Sequence, residues 1–311
     1  MAIAFTFPGQ GSQAVGMGKD LAAAFPEARA VFNEVDEALG EKLSTIMWEG
    51  PEETLTLTAN AQPALMAVSL AAVRALEARG FSLKDKVTYV AGHSLGEYSA
   101  LAAAGTFSIA DTARLLRIRG NAMQKAVPVG EGAMAAILGL AQDDVEAACA
   151  EAGPGVQIAN DNGGGQLVIS GAKAAVEKAA ALCTEKGAKR AIMLPVSAPF
   201  HSALMAPAAE AMREALAAVA KSRPVVPVVA NVVVRPLTDA DEIARRLVEQ
   251  VTGQVRWRET VEWFGANGVT TLYEVGAGKV LSGLARRIDK EIATASIGTS
   301  ADVEAALIAL G

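Results

Sequence analysis

The sequence predicts an α/β fold in which a smaller β-α-β-β-α-β unit interrupts a larger body of strands and helices. Three observations predict it. Two short apolar runs, Ala2–Phe7 and residues 87–91, each lead into a glycine-containing turn, and the second turn opens a helix. Residues 133–194 carry a strand and helix rhythm of their own. Apolar residues make up 51% and charged residues 20% of the 311-residue chain, the balance of a globular protein with a sizeable core.

The first run is a buried strand ended by Pro8 and Gly9, which feeds the loop PGQGSQ. Residues 28–39 read as a helix. A clearer helix covers residues 62–79, with Gly80 as its stop signal. The strand 87–91 precedes GHSLGEYSALAAAG, a turn and then a helix. Another helix covers residues 109–127, with Ser108 as cap and Asp111 in its first turn. Pro128, Gly130 and Gly132 break the pattern. Strand 133–138, helix 143–152, strands 156–159 and 166–170, helix 174–187 and strand 190–194 follow. Their order is that of a ferredoxin-like unit, and Gly163–Gly165 would turn its hairpin. A helix after His201, a strand over 225–230, further helices and a strand ending at Val275 complete the larger body.

Charge and cysteine usage exclude several function classes. The net charge is −6, the sequence pI is about 5.2, and no Lys/Arg run stands out. Neither nucleic acid nor an anionic membrane surface is an expected partner. The two cysteines, Cys149 and Cys183, have no metal-ligand spacing and read as small core hydrophobes. The start MAIAFTFPGQ lacks the marks of a signal peptide, and no apolar run reaches the roughly 18 residues of a membrane span. A cytoplasmic protein is expected.

Gly92-His93-Ser94-Leu95-Gly96 fits G-x-S-x-G between a predicted strand and a predicted helix, the context the motif requires. Such a turn projects the serine hydroxyl into a cleft, and the helix N-terminus beneath it offers N–H groups to a developing oxyanion. Ser94 is the candidate nucleophile. A hydroxyl needs a base, and the chain holds two histidines. His93 leaves the tight turn in a different direction from its neighbour, so His201, at a loop-to-helix junction far downstream, is the candidate base. No carboxylate stands out to orient it: Asp143, Asp144 and Asp161 all fall in the smaller unit. A main-chain carbonyl is the remaining candidate.

On a helical wheel of about 100° per residue, Arg119 falls among Leu115, Leu116, Ala122, Met123 and Ala126. Arg114, Arg117, Asn121 and Lys125 take the opposite side. An arginine on a core-facing stripe must find an anion. An internal salt bridge would supply one; a substrate carboxylate, gripped by two parallel hydrogen bonds, is the sharper alternative. Two decoys are set aside. Gly9–Ala14 fits G-x-G-x-x-A, but a helix follows where a dinucleotide site needs a strand ending in an acid. GAGKV lacks the Ser or Thr that follows the P-loop lysine.

The segments FPGQGSQ (7–13), QPAL (62–65), AGHSLGEYSAL (91–101), RG (119–120), GAMAAI (132–137), HSALM (201–205), PVVAN (227–231) and YEVGAGKVL (273–281) occur in an order and spacing that resemble the malonyl-CoA:acyl carrier protein transacylase family of bacterial fatty-acid synthesis. The resemblance covers essentially the whole chain. It implies an α/β-hydrolase-like acyltransferase core with a parallel sheet, discontinuous over 1–128 and 198–311, and a ferredoxin-like subdomain over 129–197. It implies a ping-pong transfer of malonyl through Ser94, with His201 as base, the main-chain carbonyl of Gln250 orienting His201, and the N–H groups of Gln10 and Leu95 as oxyanion hole. Arg119 would pair with the malonyl carboxylate, while Asn160 and Asn162 fall near the path of CoA and pantetheine. The implied partners are a CoA thioester and phosphopantetheinylated acyl carrier protein, with a monomer expected and neither metal nor cofactor. Two positions depart from the family pattern: Ala277 stands where proline is common, and Phe200 where several members carry a small residue. Phe200 would fill the space of an α-methyl group and select malonyl, or would pack the core. A serine esterase or thioesterase shares the Ser–His pair, and a non-catalytic carrier-docking module would form no adduct at all.

Overall fold

The computed structural model describes residues 2–196 and 198–311. Its strands are β1 (Ala2–Phe7), β2 (Tyr89–Gly92), β3 (Gly132–Leu138), β4 (Val156–Asp161), β5 (Gln166–Ala172), β6 (Arg190–Met193), β7 (Val228–Val229), β8 (Pro236–Leu237), β9 (Val255–Arg256), β10 (Val269–Val275) and β11 (Ala293–Ile297). They form a six-stranded sheet in the order β11-β10-β1-β2-β7-β8 and a five-stranded sheet in the order β6-β3-β5-β4-β9.

The protein is thus a mixed α/β structure with two sheets, and neither sheet is of one kind. In the larger sheet β11, β10, β1, β2 and β7 run parallel, but β7 and β8 pair antiparallel. The parallel sheet implied by the family resemblance is thus mixed, the departure lying at this edge. The physical reason is local. β7 and β8 are two residues each and joined by a tight loop, which permits only antiparallel pairing. In the smaller sheet β3, β4, β5 and β6 pair antiparallel, while β9 adds to β4 in parallel. Its fifth strand therefore comes from outside residues 129–197. Ser197, at the expected boundary, lies outside the described residues.

Burial explains the layers. Helix Thr58–Ala78 is buried over most of its length and lies against the larger sheet and helices Pro26–Leu39 and Ile109–Lys125. It begins four residues before the expected start, so Pro63 sits inside it rather than at its first turn. Gly120 explains how closely two of these helices approach: a Cβ there would lie 2.6 Å from the Ala59 Cα. The smaller sheet covers one face with helices Gln142–Ala152 and Lys173–Glu185, and both cysteines are free and buried in that cluster.

The parallel register sets the site. β1 pairs with both β10 and β2, so the turns after Phe7, Gly92 and Val275 emerge together at one edge. Ligands gather at such carboxyl ends of parallel strands. β7 delivers Asn231 to the same edge, and the β4–β9 pairing brings Asn160 beside it. No described helix is long and apolar enough to cross a membrane.

Candidate active site

The turn after β2 holds Ser94 at φ 53°, in the left-handed region that only glycine adopts without cost. Strain of this kind is worth about 1–3 kcal/mol and persists where the surroundings impose it. Here the surroundings are the flanking glycines. A Cβ on Gly92 would lie 1.9 Å from the Gly96 carbonyl, and one on Gly96 would lie 2.1 Å from the Phe7 oxygen. Neither backbone can yield, so both positions require hydrogen. Gly96→Ala is accordingly expected to lower the melting temperature by about 10 °C or more, read by circular dichroism. An unchanged melt would mean that this close approach is dispensable.

His201 follows Phe200 and also adopts a positive φ, 56°. Its Nε2 lies 2.7 Å from Ser94 Oγ. Its Nδ1 lies 2.8 Å from the Gln250 carbonyl oxygen and 3.2 Å from that of Gly253. A carbonyl can only accept, so Nδ1 carries the proton and Nε2 presents its lone pair to the hydroxyl. Burial, reinforced by the Arg119 charge, pushes the His201 pKa down to about 3, so the imidazole is neutral at pH 7. His93 is turned away: its Nε2 meets Asn162 Oδ1 at 2.9 Å and its ring packs against Trp257.

Arg119 is 1% exposed. Its guanidinium donates to Gln62 Oε1 at 2.8 Å, to Gln250 Oε1 at 2.9 Å and to Ser94 Oγ at 3.0 Å. Its carbon lies 5.6 Å from the centre of the Tyr98 ring, a favourable cation–π distance. All three acceptors are neutral. Among the described residues no carboxylate forms a salt bridge with Arg119, and its Nε has no acceptor. The internal salt bridge weighed above is therefore not what holds this charge. Burial lowers the Arg119 pKa, the mark of a cation whose compensation is incomplete.

Ser94, His201, Arg119, Gln62 and His93 line a cavity of about 490 Å³. Gln10, Leu95, Asn160, Asn162 and Phe200 line it too. Among the described residues, no acceptor is paired with the main-chain N–H of Gln10 or Leu95. The cavity runs from Ser94 past the smaller sheet to Arg287.

Three kinds of comparison bear on this arrangement. The model of the acyl transferase domain family matches residues 4–297. The malonyl CoA-acyl carrier protein transacylase of Bacillus subtilis is 47% identical over 98% of this chain and 96% of its own length. The chain belongs to that transacylase family. The crystal structure of an acyl-carrier-protein S-malonyltransferase from Bartonella henselae superposes with a TM-score of 0.99 at 64% identity, covering 100% of both chains. A type II PKS acyl-carrier protein in complex with its malonyl-transacylase offers a further match, with a TM-score of 0.96 at 43% identity over 99% of this chain and 100% of that one.

Within this candidate site, four residues had no role in the sequence reading. Gln62 holds Arg119. Asn231 accepts from the Ser94 N–H at 2.9 Å and donates to the Gly92 carbonyl at 2.7 Å, tying down both ends of the turn. Gln157 donates to the main-chain oxygens of His201 and Thr252 and accepts from the Ala203 N–H. It thereby fastens β4 to the histidine loop. Glu97 is buried directly beneath the serine turn. Gln62, Glu97 and Asn231 lie inside the recognisable segments QPAL, GHSLGEYSAL and PVVAN, which was the one signal available; Gln157 had none.

Proposed function

We propose that the chain transfers the malonyl group of malonyl-CoA to the phosphopantetheine thiol of acyl carrier protein through a malonyl ester on Ser94. The observation that carries this reading is the Arg119 guanidinium, buried 3.0 Å from the nucleophile with no carboxylate on it. An ordinary esterase acting on neutral acyl groups has no use for a buried cation there. A substrate with a second carboxylate supplies the missing anion.

The steps follow from the geometry. Ser94 Oγ attacks the thioester carbon as its proton passes to His201 Nε2. The N–H groups of Gln10 and Leu95, unpaired in the free protein, receive the oxyanion. The imidazolium is held by the Gln250 carbonyl while the tetrahedral adduct collapses. The carbon–sulfur bond breaks, the CoA sulfur takes the proton, and malonyl remains esterified to Ser94 with its carboxylate on Arg119. The carrier's thiol then gives its proton to His201 and attacks the ester, and Ser94 leaves with that proton. Asn160 and Asn162 line the way taken by the pantetheine arm, and Phe200 stands where an α-methyl group would need room. The strand order of the smaller sheet supports reading residues 129–197 as a ferredoxin-like insertion into an α/β-hydrolase-like core over 1–128 and 198–311.

Intact-protein mass spectrometry tests the reading. Mixed with malonyl-CoA alone, the protein is expected to gain the mass of one malonyl group. Addition of phosphopantetheinylated carrier should remove it and load the carrier. Fast release of free malonate without carrier would favour a hydrolase, and no adduct would favour a non-catalytic docking module.

A further inference from the structure

We infer that Glu97 is a positioning residue for the acyl transfer: its buried carboxylate fixes the Gln250 amide and the Asn231 main chain, and through them the serine turn, the histidine and the arginine. The inference rests on the Ser94–His201 reading above.

Glu97 lies in the first turn of helix Gly96–Ala103 and is 2% exposed. A buried carboxylate is expensive unless its lone pairs are used. Here Oε2 accepts from Gln250 Nε2 at 2.8 Å and from the Asn231 N–H at 3.2 Å. Each of these two partners touches the reacting groups. The Gln250 carbonyl holds His201 Nδ1, its Nε2 also donates to the Ser94 carbonyl at 3.0 Å, and its Oε1 accepts from Arg119. Asn231 Oδ1 accepts from the Ser94 N–H.

The Gln250 amide has two orientations of nearly equal shape, and the charges on either side choose between them. The guanidinium can only donate and an ionised carboxylate can only accept. With Oε1 on Arg119 and Nε2 on Glu97, every contact is satisfied; flipped, both would be repulsive. The chain guanidinium–amide–carboxylate thus places the counter-charge of Arg119 one side chain away. The charge is only partly offset, and Arg119 Nε stays without an acceptor among the described residues. The ionisable groups facing Glu97 are Arg119 from helix Ile109–Lys125 and Tyr98 from its own helix, with His201 beyond Gln250. Burial lifts the Glu97 pKa to about 7, so near neutral pH part of the population carries a carboxylic acid there. That form keeps an acceptor for Gln250 and loses the charge.

The test compares Glu97→Ala and Glu97→Gln with the wild-type enzyme, following Ser94 malonylation by rapid-quench mass spectrometry. Glu97→Ala leaves buried donors unpaired, and the acylation rate at saturating malonyl-CoA is expected to fall about 10- to 100-fold with KM changed less than about threefold. Glu97→Gln can still accept from Gln250 but lacks the charge, and should match the slower, protonated wild-type form while staying well above Glu97→Ala. The wild-type rate should show an inflection near pH 7, the ionised form being the faster, and Glu97→Gln should lack it. A folded Glu97→Ala enzyme acylating at the wild-type rate would overturn the inference. So would an unchanged inflection in Glu97→Gln, which decides the matter even where the alanine variant does not fold. Absence of the adduct in the wild-type enzyme would instead overturn the reading on which the inference rests.

Discussion

The Ser94→Ala protein is expected to take up no malonyl group from malonyl-CoA and to lose transfer to the carrier by ~10⁴-fold or more. Ser94 Oγ is the atom that His201 Nε2 addresses at 2.7 Å, and the two-step route has no substitute for it. Loss of a nucleophile in such a unit removes the covalent path as a whole and leaves only the contribution of binding and the oxyanion donors. The turn should survive the change. Alanine is no better suited than serine to φ 53°, but the forces that impose that angle come from Gly92, Gly96 and the Asn231 bond to the main-chain N–H. The measurement is intact mass after incubation with malonyl-CoA, alongside a thermal melt. A malonylated variant of normal stability would take Ser94 out of the chemistry.

What the sequence reveals and conceals here has a common physical origin. Motifs with rigid local requirements are legible. A strand, two obligatory glycines and a helix announce Ser94. An arginine among leucines announces Arg119, because helical periodicity is regular enough to count. Residues whose meaning depends on burial are not legible. Glu97 stands in the first turn of a helix, where acids are common on exposed surfaces for their effect on the macrodipole. Nothing local distinguishes one that is buried against Gln250. Asn231 follows a strand, where asparagine ordinarily makes turns.

Short elements disappear for a related reason. The strand read over 225–230 retains only Val228–Val229. Val225 is half exposed, and Pro227 has no N–H and only accepts, from Val90. β9 is two residues long, too brief for any period, yet its pairing with β4 brings a segment from beyond residue 197 into the smaller sheet beside the cavity. β11 reads ATASI, with too few large apolar residues to mark a strand, and it is recovered only through its pairing with β10.

Arg119→Ala should separate the two acyl groups. Malonyl transfer is expected to fall by about 10²–10⁴-fold in kcat/KM, corresponding to the roughly 3–5 kcal/mol at stake when one member of a buried charge pair is removed. Acetyl transfer should change by less than about tenfold, since acetyl has no second carboxylate to lose and stays clear of that pair's energy. The substitution opens space and unpairs Gln62 and Gln250, so some stability is lost for both substrates alike. The ratio of the two activities cancels that loss and isolates the contact with the carboxylate. A second effect favours acetyl. The guanidinium donates to Ser94 Oγ and depresses the proton affinity of His201, so its removal frees the hydroxyl and strengthens the base. Arg119→Lys tests geometry against charge: a point charge cannot grip Gln62, Gln250 and a carboxylate at once as the planar fork can. Equal losses on malonyl and acetyl substrates in both variants would make Arg119 a structural cation, and the anion it lacks in the free protein would need another source.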